Sequence, residues 1–201
     1  MEYVFNDIHR HHKWIGGDSH SGTGSSLLQT VTIRQALRHV LQELNAKSLL
    51  DAPCGDFHWM KELELERYIG VDVVSDLIAQ NQQKYGTESR QFLKLNISED
   101  PLPQVDVILC RDGLVHFSFK DIISVVRNFK RSGSRCLLTT TFPKCSRNRD
   151  IITGGWRPIN LQLAPFNFPK PVQLINEGCA DSDGRYSDKS LGLWELEDIR
   201  S

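Results

Sequence analysis

Short apolar segments alternate with amphipathic segments between residues 47 and 142, and this alternation restricts the chain to few folds. The apolar segments have the length and the Val, Ile and Leu content of strands. They are residues 47–52, 67–74, 90–97, 105–110 and 134–142. Helical patterns occupy residues 75–86 and 118–133. Nearly continuous apolar strands separated by helices are typical of a mostly parallel sheet that helices cover on both faces.

The flanking segments extend this pattern. Residues 32–46 form a third amphipathic helical pattern, and residues 172–178 and 191–198 are short predicted strands. We expect these last two strands to form an antiparallel hairpin. A length of 201 residues suits one domain with a sizeable core, and no repeat or linker divides the chain. The sequence therefore predicts a single α/β domain over residues 1–201.

Charge and composition exclude several classes of protein. The 24 Lys and Arg residues nearly balance the 25 Asp and Glu residues, so nothing indicates binding to nucleic acid or to an anionic membrane. No apolar run approaches the roughly 20 residues that span a bilayer, and the N-terminus lacks the apolar core of a signal peptide. We therefore expect a cytoplasmic protein.

Cysteines and histidines give no indication of a metal site. The five cysteines include no C-x-x-C pair, which also argues against a disulfide framework. His9, His11 and His12 lack an acidic or cysteine partner at a useful spacing. We expect no bound metal and an exposed histidine stretch.

The segment SLLDAPCGDFHWM, residues 48–60, places a polar loop directly after the first predicted strand. Ligands of parallel sheets bind at the carboxyl ends of strands, where Asp51 offers a carboxylate and Gly55 permits close approach to the backbone. A dinucleotide pyrophosphate favours G-x-G-x-x-G, and this loop keeps one glycine, so NAD is disfavoured. Asp72 ends the second strand, where a carboxylate can bind the hydroxyls of a ribose. Together these residues favour an adenosine-containing ligand without a pyrophosphate.

Five segments occur in an order that resembles a known family. They are LLDAPCGD, YIGVDVV, LKLNISEDPLP, VDVILCRDGLVHFS and FKRSGSRCLLTTTF. Their order resembles the successive motifs of class I S-adenosylmethionine-dependent methyltransferases, and the whole chain is similar to a bacterial group of methyltransferase-domain proteins of unassigned substrate. Pro53 and Phe57 stand where the family usually has further glycines. The resemblance implies a Rossmann-like fold with a seven-stranded mixed sheet and helices on both faces.

The resemblance also implies that S-adenosylmethionine binds along the ends of four strands. The methionine end is expected to contact Asp51 and the backbone of Ala52, Pro53 and Gly55. The ribose is expected to contact Asp72, and the adenine is expected to contact Val73, Asn96 and Ile97. The sulfonium is expected to contact Cys110 and Arg111. This ligand carries no phosphate, so mixed polar groups can bind its carboxylate, amine and sulfonium, and one glycine in the first loop is sufficient.

Two residues after the fourth strand are candidates for catalysis. Asp112 and His116 lie four positions apart, beside the predicted methyl site. Methyl transfer requires alignment of the acceptor with the methyl group, and a hydroxyl or ammonium acceptor also requires a base. Both residues are candidates for that base. The alternative for His116 is a buried histidine that supports the cofactor pocket.

Two long segments are expected to cover the strand ends. Residues 143–171 are rich in polar and aromatic side chains, which favours either a substrate-side loop or a structural lid. The acceptor contacts predicted in this loop are Trp156, Arg157 and Asn160. We expect residues 1–31 to form an N-terminal cover, whose SGTGSS stretch is either a mobile cap or a plain flexible loop. Lys189 lies in a late loop that either reaches this pocket or is solvated.

The sequence thus predicts a methyltransferase that moves a methyl group from S-adenosylmethionine to an oxygen or nitrogen atom of a small-molecule or carbohydrate-like acceptor. Two alternatives stay open. One is a non-catalytic module that binds S-adenosylmethionine, and the other is an NAD-dependent oxidoreductase, which the missing glycines disfavour.

Overall fold

The computed structural model describes residues 1–14, 18–179 and 184–200. Seven strands form one sheet: β1 (Ser48–Asp51), β2 (Arg67–Asp72), β3 (Arg90–Lys94), β4 (Val107–Cys110), β5 (Cys136–Thr141), β6 (Gln173–Asn176) and β7 (Ser190–Glu195). Their order is β3-β2-β1-β4-β5-β7-β6. The first five strands are parallel, whereas β7 runs antiparallel to both β5 and β6. The predicted seven-stranded mixed sheet and its closing hairpin are confirmed.

Four α-helices accompany the sheet within the described residues. They are α1 (Glu2–Arg10), α2 (Val31–Glu43), α3 (Ser75–Tyr85) and α4 (Phe119–Arg131). Three of them match predicted segments, and α1 was not predicted. Only a short 3₁₀ turn, Met60–Glu62, lies between β1 and β2. None of the helices among the described residues is long and apolar enough to cross a membrane.

Side chains of adjacent strand residues enter two separate cores, one on each face of the sheet. Ile108 of β4 packs in the same cluster as Val125 and Phe129 of α4. Its neighbour Leu109 packs in the opposite cluster with Leu37 of α2. Successive strand residues point to opposite faces, so a strand buried on both sides must be apolar throughout. The prediction of helices on both faces is confirmed.

The third strand ends earlier than predicted. It stops at Lys94, whereas the apolar pattern extended to residue 97. The side-chain oxygen of Asn96 accepts hydrogen bonds from the Ser98 amide and hydroxyl, at 3.2 and 2.8 Å. This local turn competes with sheet pairing and directs the chain away from the strand.

The N-terminus of α4 provides a test of local stability. Ser118 caps this helix, because its hydroxyl oxygen accepts a hydrogen bond from the Asp121 amide at 3.2 Å. Ser118→Ala should lower the free energy of unfolding, measured in urea, by about 1 kcal/mol. Ser124→Ala in the same helix is the matched control, since its hydroxyl bonds only back to the Lys120 carbonyl. Equal losses in the two variants would contradict the capping role.

Candidate functional site

A cavity of about 140 Å³ lies at the carboxyl ends of β1, β2 and β4. Asp51 and Asp72 border it as the last residues of β1 and β2, and Arg111 borders it directly after β4. These strand ends lie together because β2, β1 and β4 are parallel neighbours in the sheet. The cavity therefore occupies the position where sheets of this topology bind ligands.

In the loop after β1, residues 52–56, the backbone N–H groups already donate hydrogen bonds to other parts of the protein. The amides of Ala52 and Cys54 donate to the carbonyls of Leu109 and Val71, at 2.8 and 2.9 Å. Pro53 has no amide hydrogen to donate. The Gly55 amide donates to the Asp72 carboxylate at 3.3 Å. This loop therefore offers few N–H donors to an anionic ligand, and any contact of the Ala52 backbone with a ligand would have to use its carbonyl.

Gly55 is required by a segment of the chain itself. Its φ is +53°, and a Cβ at this position would lie 2.4 Å from the Ser21 hydroxyl oxygen. The same hydroxyl oxygen accepts a hydrogen bond from the Asp56 amide at 2.9 Å. Asp56 in turn accepts hydrogen bonds from the Ser19 hydroxyl and the His20 amide, at 2.9 and 2.8 Å. The glycine therefore lets the N-terminal cover dock against the first loop.

Asp51 is a buried carboxylate with a single hydrogen-bonding side chain. Its Oδ2 accepts a hydrogen bond from the Tyr68 hydroxyl at 2.7 Å, and the residue is 3% exposed. Burial raises the pKa of Asp51 to about 7, although the Tyr68 hydrogen bond opposes this shift. A carboxylate in this state favours a cationic ligand group, such as an ammonium, that would stabilise its charge.

Asp72 is the second buried carboxylate of the cavity. Its two oxygens accept hydrogen bonds from the amides of Gly55 and Val74, at 3.3 and 3.0 Å. Burial raises the pKa of Asp72, and these amide hydrogen bonds lower it in part. The amides fix the orientation of the carboxylate toward the cavity and leave acceptor lone pairs for a ligand.

Four charged side chains form a buried cluster beside the cavity. Arg111 donates to Glu177 at 2.8 Å, and Lys189 donates to Asp112 at 2.6 Å. Cross pairs complete the cluster, with Arg111 to Asp112 at 3.3 Å and Lys189 to Glu177 at 3.3 Å. A further guanidinium N–H of Arg111 donates to the Gly24 carbonyl at 2.8 Å. Lys189 is 8% exposed, so its loop reaches the site rather than solvent.

This cluster makes Asp112 a poor candidate for a base. Burial alone would raise the pKa of Asp112, but Lys189 and Arg111 hold it well below its usual range. The carboxylate therefore stays ionised and has little affinity for a proton. Its backbone has a positive φ of 53°, and its amide donates to the Thr140 hydroxyl at 2.8 Å.

His116 is held as a neutral imidazole at the edge of the cavity. Its Nδ1 lies 2.7 Å from the Gly155 carbonyl oxygen, which can only accept, so Nδ1 carries the proton. Nε2 is then an unprotonated acceptor. Burial lowers the pKa of His116, while the Gly155 hydrogen bond and nearby Asp112 raise it in part. The Trp14 ring lies over the imidazole, with centroids 4.3 Å apart. The arrangement suits a general base and also anchors the residues around Gly155.

Two other predicted cofactor contacts lie away from the cavity. Cys110 is fully buried in the core cluster that includes α4. The side chain of Asn96 forms the turn with Ser98, and the cavity is bordered instead by Leu95 and Ile97 on either side of it. Side chains alternate along an extended segment, so Asn96 points away from the cavity that Leu95 and Ile97 border. Cys110 and Asn96 do not border the cavity, whereas Ile97, Val73, Pro53 and Arg111 do.

The three side chains predicted to contact the acceptor from the loop 143–171 make contacts within the protein. Arg157 donates to the carbonyls of Leu114 and Phe117, at 2.9 and 2.6 Å. Asn160 donates to the Pro143 carbonyl at 3.1 Å. Trp156 packs on Tyr186 with ring centroids 4.9 Å apart. These three side chains organise the loop and do not border the described cavity.

The N-terminal cover supplies the opposite wall of the cavity. Phe5 and Ile8 of α1 border it, as do His9, His12 and Trp14. Phe5 and Ile8 are three positions apart, a helical spacing that the sequence analysis overlooked. His9 is half-buried, so the histidine stretch is not exposed throughout as expected. Within the described ranges, no group of three or more His, Cys, Asp or Glu residues is placed to hold a metal ion.

The chain matches no protein-family model and no curated protein. Solved structures match its fold. The methyltransferase domain of the bacterial protein CtHen1-C aligns with a TM-score of 0.61 and 17% identity, covering 85% of this chain and 99% of that one. The N-methyltransferase NodS from Bradyrhizobium japonicum aligns with a TM-score of 0.56 and 13% identity, covering 83% of this chain and 98% of NodS. Human N-acetylserotonin methyltransferase, solved with S-adenosylmethionine, aligns with a TM-score of 0.53 and 11% identity, covering 96% of this chain and 65% of the human enzyme. The fold is that of class I S-adenosylmethionine-dependent methyltransferases.

The charge cluster should be sensitive to loss of one charge. Glu177→Gln leaves Arg111 and Lys189 with Asp112, which is partly exposed, as the remaining anion of the cluster, and we expect it to lower the free energy of unfolding by about 3 to 5 kcal/mol. Glu66→Gln is the matched control, because that carboxylate pairs with Lys47 at 3.5 Å on the exposed surface. Its expected loss is below about 1 kcal/mol. Similar losses in urea unfolding of the two variants would contradict the role of the cluster.

Asp51 should make stability depend on pH. Its pKa is about 7 in the folded protein and lower in the unfolded chain, so the unfolded chain releases the proton first as pH rises. We expect wild-type stability to fall relative to Asp51→Asn between about pH 4 and pH 7, by up to about 1.4 kcal/mol per pH unit, and the difference to level off above pH 7. Urea unfolding across this pH range measures the difference. A difference that stays constant across this pH range would contradict the burial of a titrating carboxyl.

Proposed function

We propose that the protein is a methyltransferase that uses S-adenosylmethionine to methylate an oxygen or nitrogen atom of a small molecule. The observation that carries the proposal is the pair of buried carboxylates, Asp51 and Asp72, on neighbouring strand ends of a class I methyltransferase fold. Asp51 suits an ammonium group, and Asp72 suits the two hydroxyls of a ribose. S-adenosylmethionine presents both groups, and it supplies an activated methyl group on a sulfonium.

The strand order supports one orientation of this cofactor. Asp72 at the end of β2 would accept hydrogen bonds from the ribose hydroxyls. Val73 and Ile97 border the same end of the cavity and would pack on the adenine. Asp51, at the end of the central strand β1, would pair with the amine of the methionine moiety. The reacting end then lies toward β4, where Asp112 and His116 follow the strand.

The first loop argues against a dinucleotide. A pyrophosphate requires several backbone N–H groups that are free to donate. In this loop the amides of Ala52, Cys54, Gly55 and Asp56 all have protein acceptors, and Pro53 has none to offer. An NAD-dependent oxidoreductase is therefore a poor alternative.

His116 is our candidate for the general base. The acceptor oxygen or nitrogen would form its bond to the methyl carbon as the carbon–sulfur bond breaks, and S-adenosylhomocysteine would leave with that electron pair. The Nε2 atom would accept the proton that the acceptor O–H or N–H loses. Gly155 fixes the tautomer that this step requires, since it holds the proton on Nδ1. The ionised carboxylate of Asp112 borders the same end of the cavity and would stabilise positive charge there.

Cofactor binding tests the proposal directly. Isothermal titration calorimetry should show binding of S-adenosylmethionine and no binding of NADH. Asp72→Ala should weaken the affinity about 10- to 150-fold, because hydrogen bonds to a charged group contribute about 1.5 to 3 kcal/mol. Asp76→Ala is the control, since Asp76 lies four residues later and is exposed. NADH binding without S-adenosylmethionine binding, or an unchanged affinity in Asp72→Ala, would refute the assignment.

A further inference from the structure

The position of the acceptor follows from the order of the strands, if the proposed function holds. An adenosine over β2 and a methionine moiety over β1 direct the methyl group toward β4. The residues that follow β4 and border the cavity include Gly113, His116 and Phe117. The acceptor must therefore lie between this segment and the N-terminal cover that faces it.

Aromatic rings form the wall in this region. The Trp14 ring lies 4.3 Å from the His116 imidazole, with an angle of 33° between the planes. Phe5 contacts Trp14 at 5.8 Å and Phe117 at 5.6 Å between ring centroids. All four rings border the cavity. The wall is thus a continuous aromatic surface that includes the candidate base.

Three polar side chains near this region that could hold a polyol already have partners within the protein. Asp112 is paired with Lys189 and Arg111. Arg157 and Asn160, which the sequence suggested as acceptor contacts, donate to backbone carbonyls within the lid. A carbohydrate is held by many directional hydrogen bonds, whereas a planar ring is held by contact with other rings. The wall therefore favours a planar acceptor.

We infer that the acceptor is an aromatic or heteroaromatic compound whose ring carries the reacting hydroxyl or amino group, and that Trp14 determines this specificity. The acceptor ring packs against the Trp14 indole, which places the ring substituent within reach of the His116 imidazole. Trp14 is a positioning residue and takes no part in proton transfer. The inference rests on the proposed function and replaces the carbohydrate-like part of the earlier expectation.

The substrate class can be tested with radiolabelled S-adenosylmethionine and matched acceptors. One panel contains hydroxyl- and amino-substituted benzenes, indoles and quinolines, and the other contains cyclohexanols, cyclohexylamines and monosaccharides. We expect methyl transfer to members of the aromatic panel only. Transfer confined to sugars or saturated rings, or none to aromatic compounds, would overturn the inference. Calorimetric binding of S-adenosylmethionine is measured separately, so failure of this inference is distinguishable from failure of the proposed function.

Variants at two tryptophans test the role of Trp14. Trp14→Leu should raise KM for the aromatic acceptor about 3- to 10-fold, because an aromatic contact is lost, and leave the affinity for S-adenosylmethionine unchanged. Trp14→Phe keeps a ring and should restore most of the KM. Trp156→Leu is the matched control, because Trp156 packs on Tyr186 outside the described lining of the cavity. An unchanged KM in Trp14→Leu, or an equal rise in Trp156→Leu, would refute the assignment.

Discussion

The buried charge cluster is the interaction on which the geometry of the site depends. Arg111 and Asp112 follow β4, Glu177 follows β6 and Lys189 precedes β7, so the cluster joins the parallel strands to the antiparallel hairpin. Removing charges from water is unfavourable, and each member is stable there only because the others compensate it. Arg111 also binds the Gly24 carbonyl, which holds the N-terminal cover over the strand ends. The pairing that orders the site also lowers the pKa of Asp112, which makes this carboxylate a poor proton acceptor.

The two carboxylates that border the cavity, Asp51 and Asp72, differ from this cluster because neither forms an ion pair with a described residue. Among the described residues, Asp51 accepts a side-chain hydrogen bond only from the Tyr68 hydroxyl, and Asp72 accepts hydrogen bonds only from backbone amides. Burial raises the pKa of both groups, which means that the folded protein disfavours their charge. Such uncompensated groups are common at binding sites, where the ligand provides the missing partner. The acids paired with cations thus stabilise the fold around the cavity, whereas Asp51 and Asp72 are the acids that the proposal assigns to ligand binding.

The elements of the fold were predictable because their signals are local. Apolar runs and helical periodicity identified seven strands and three helices, and strand-end positions identified Asp51 and Asp72. Contacts between distant segments were not predictable. Lys189 and Asp112 are 77 residues apart, and nothing in either segment indicates their pairing. Arg157 was misassigned because a dense run of polar residues does not reveal whether its donors bind a ligand or the chain's own carbonyls.

The loss of glycines from the first loop now has a structural explanation. Glycine-rich loops bind pyrophosphates because their amides are free and lie close to the ligand. Here neighbouring strands, Asp72 and Ser21 accept from every amide between Ala52 and Asp56. A loop without spare N–H donors, beside the buried carboxylate of Asp51, is better suited to cationic than to anionic groups. An ammonium and a sulfonium meet that requirement, and a phosphate does not. The one remaining glycine, Gly55, is retained because Ser21 packs against it.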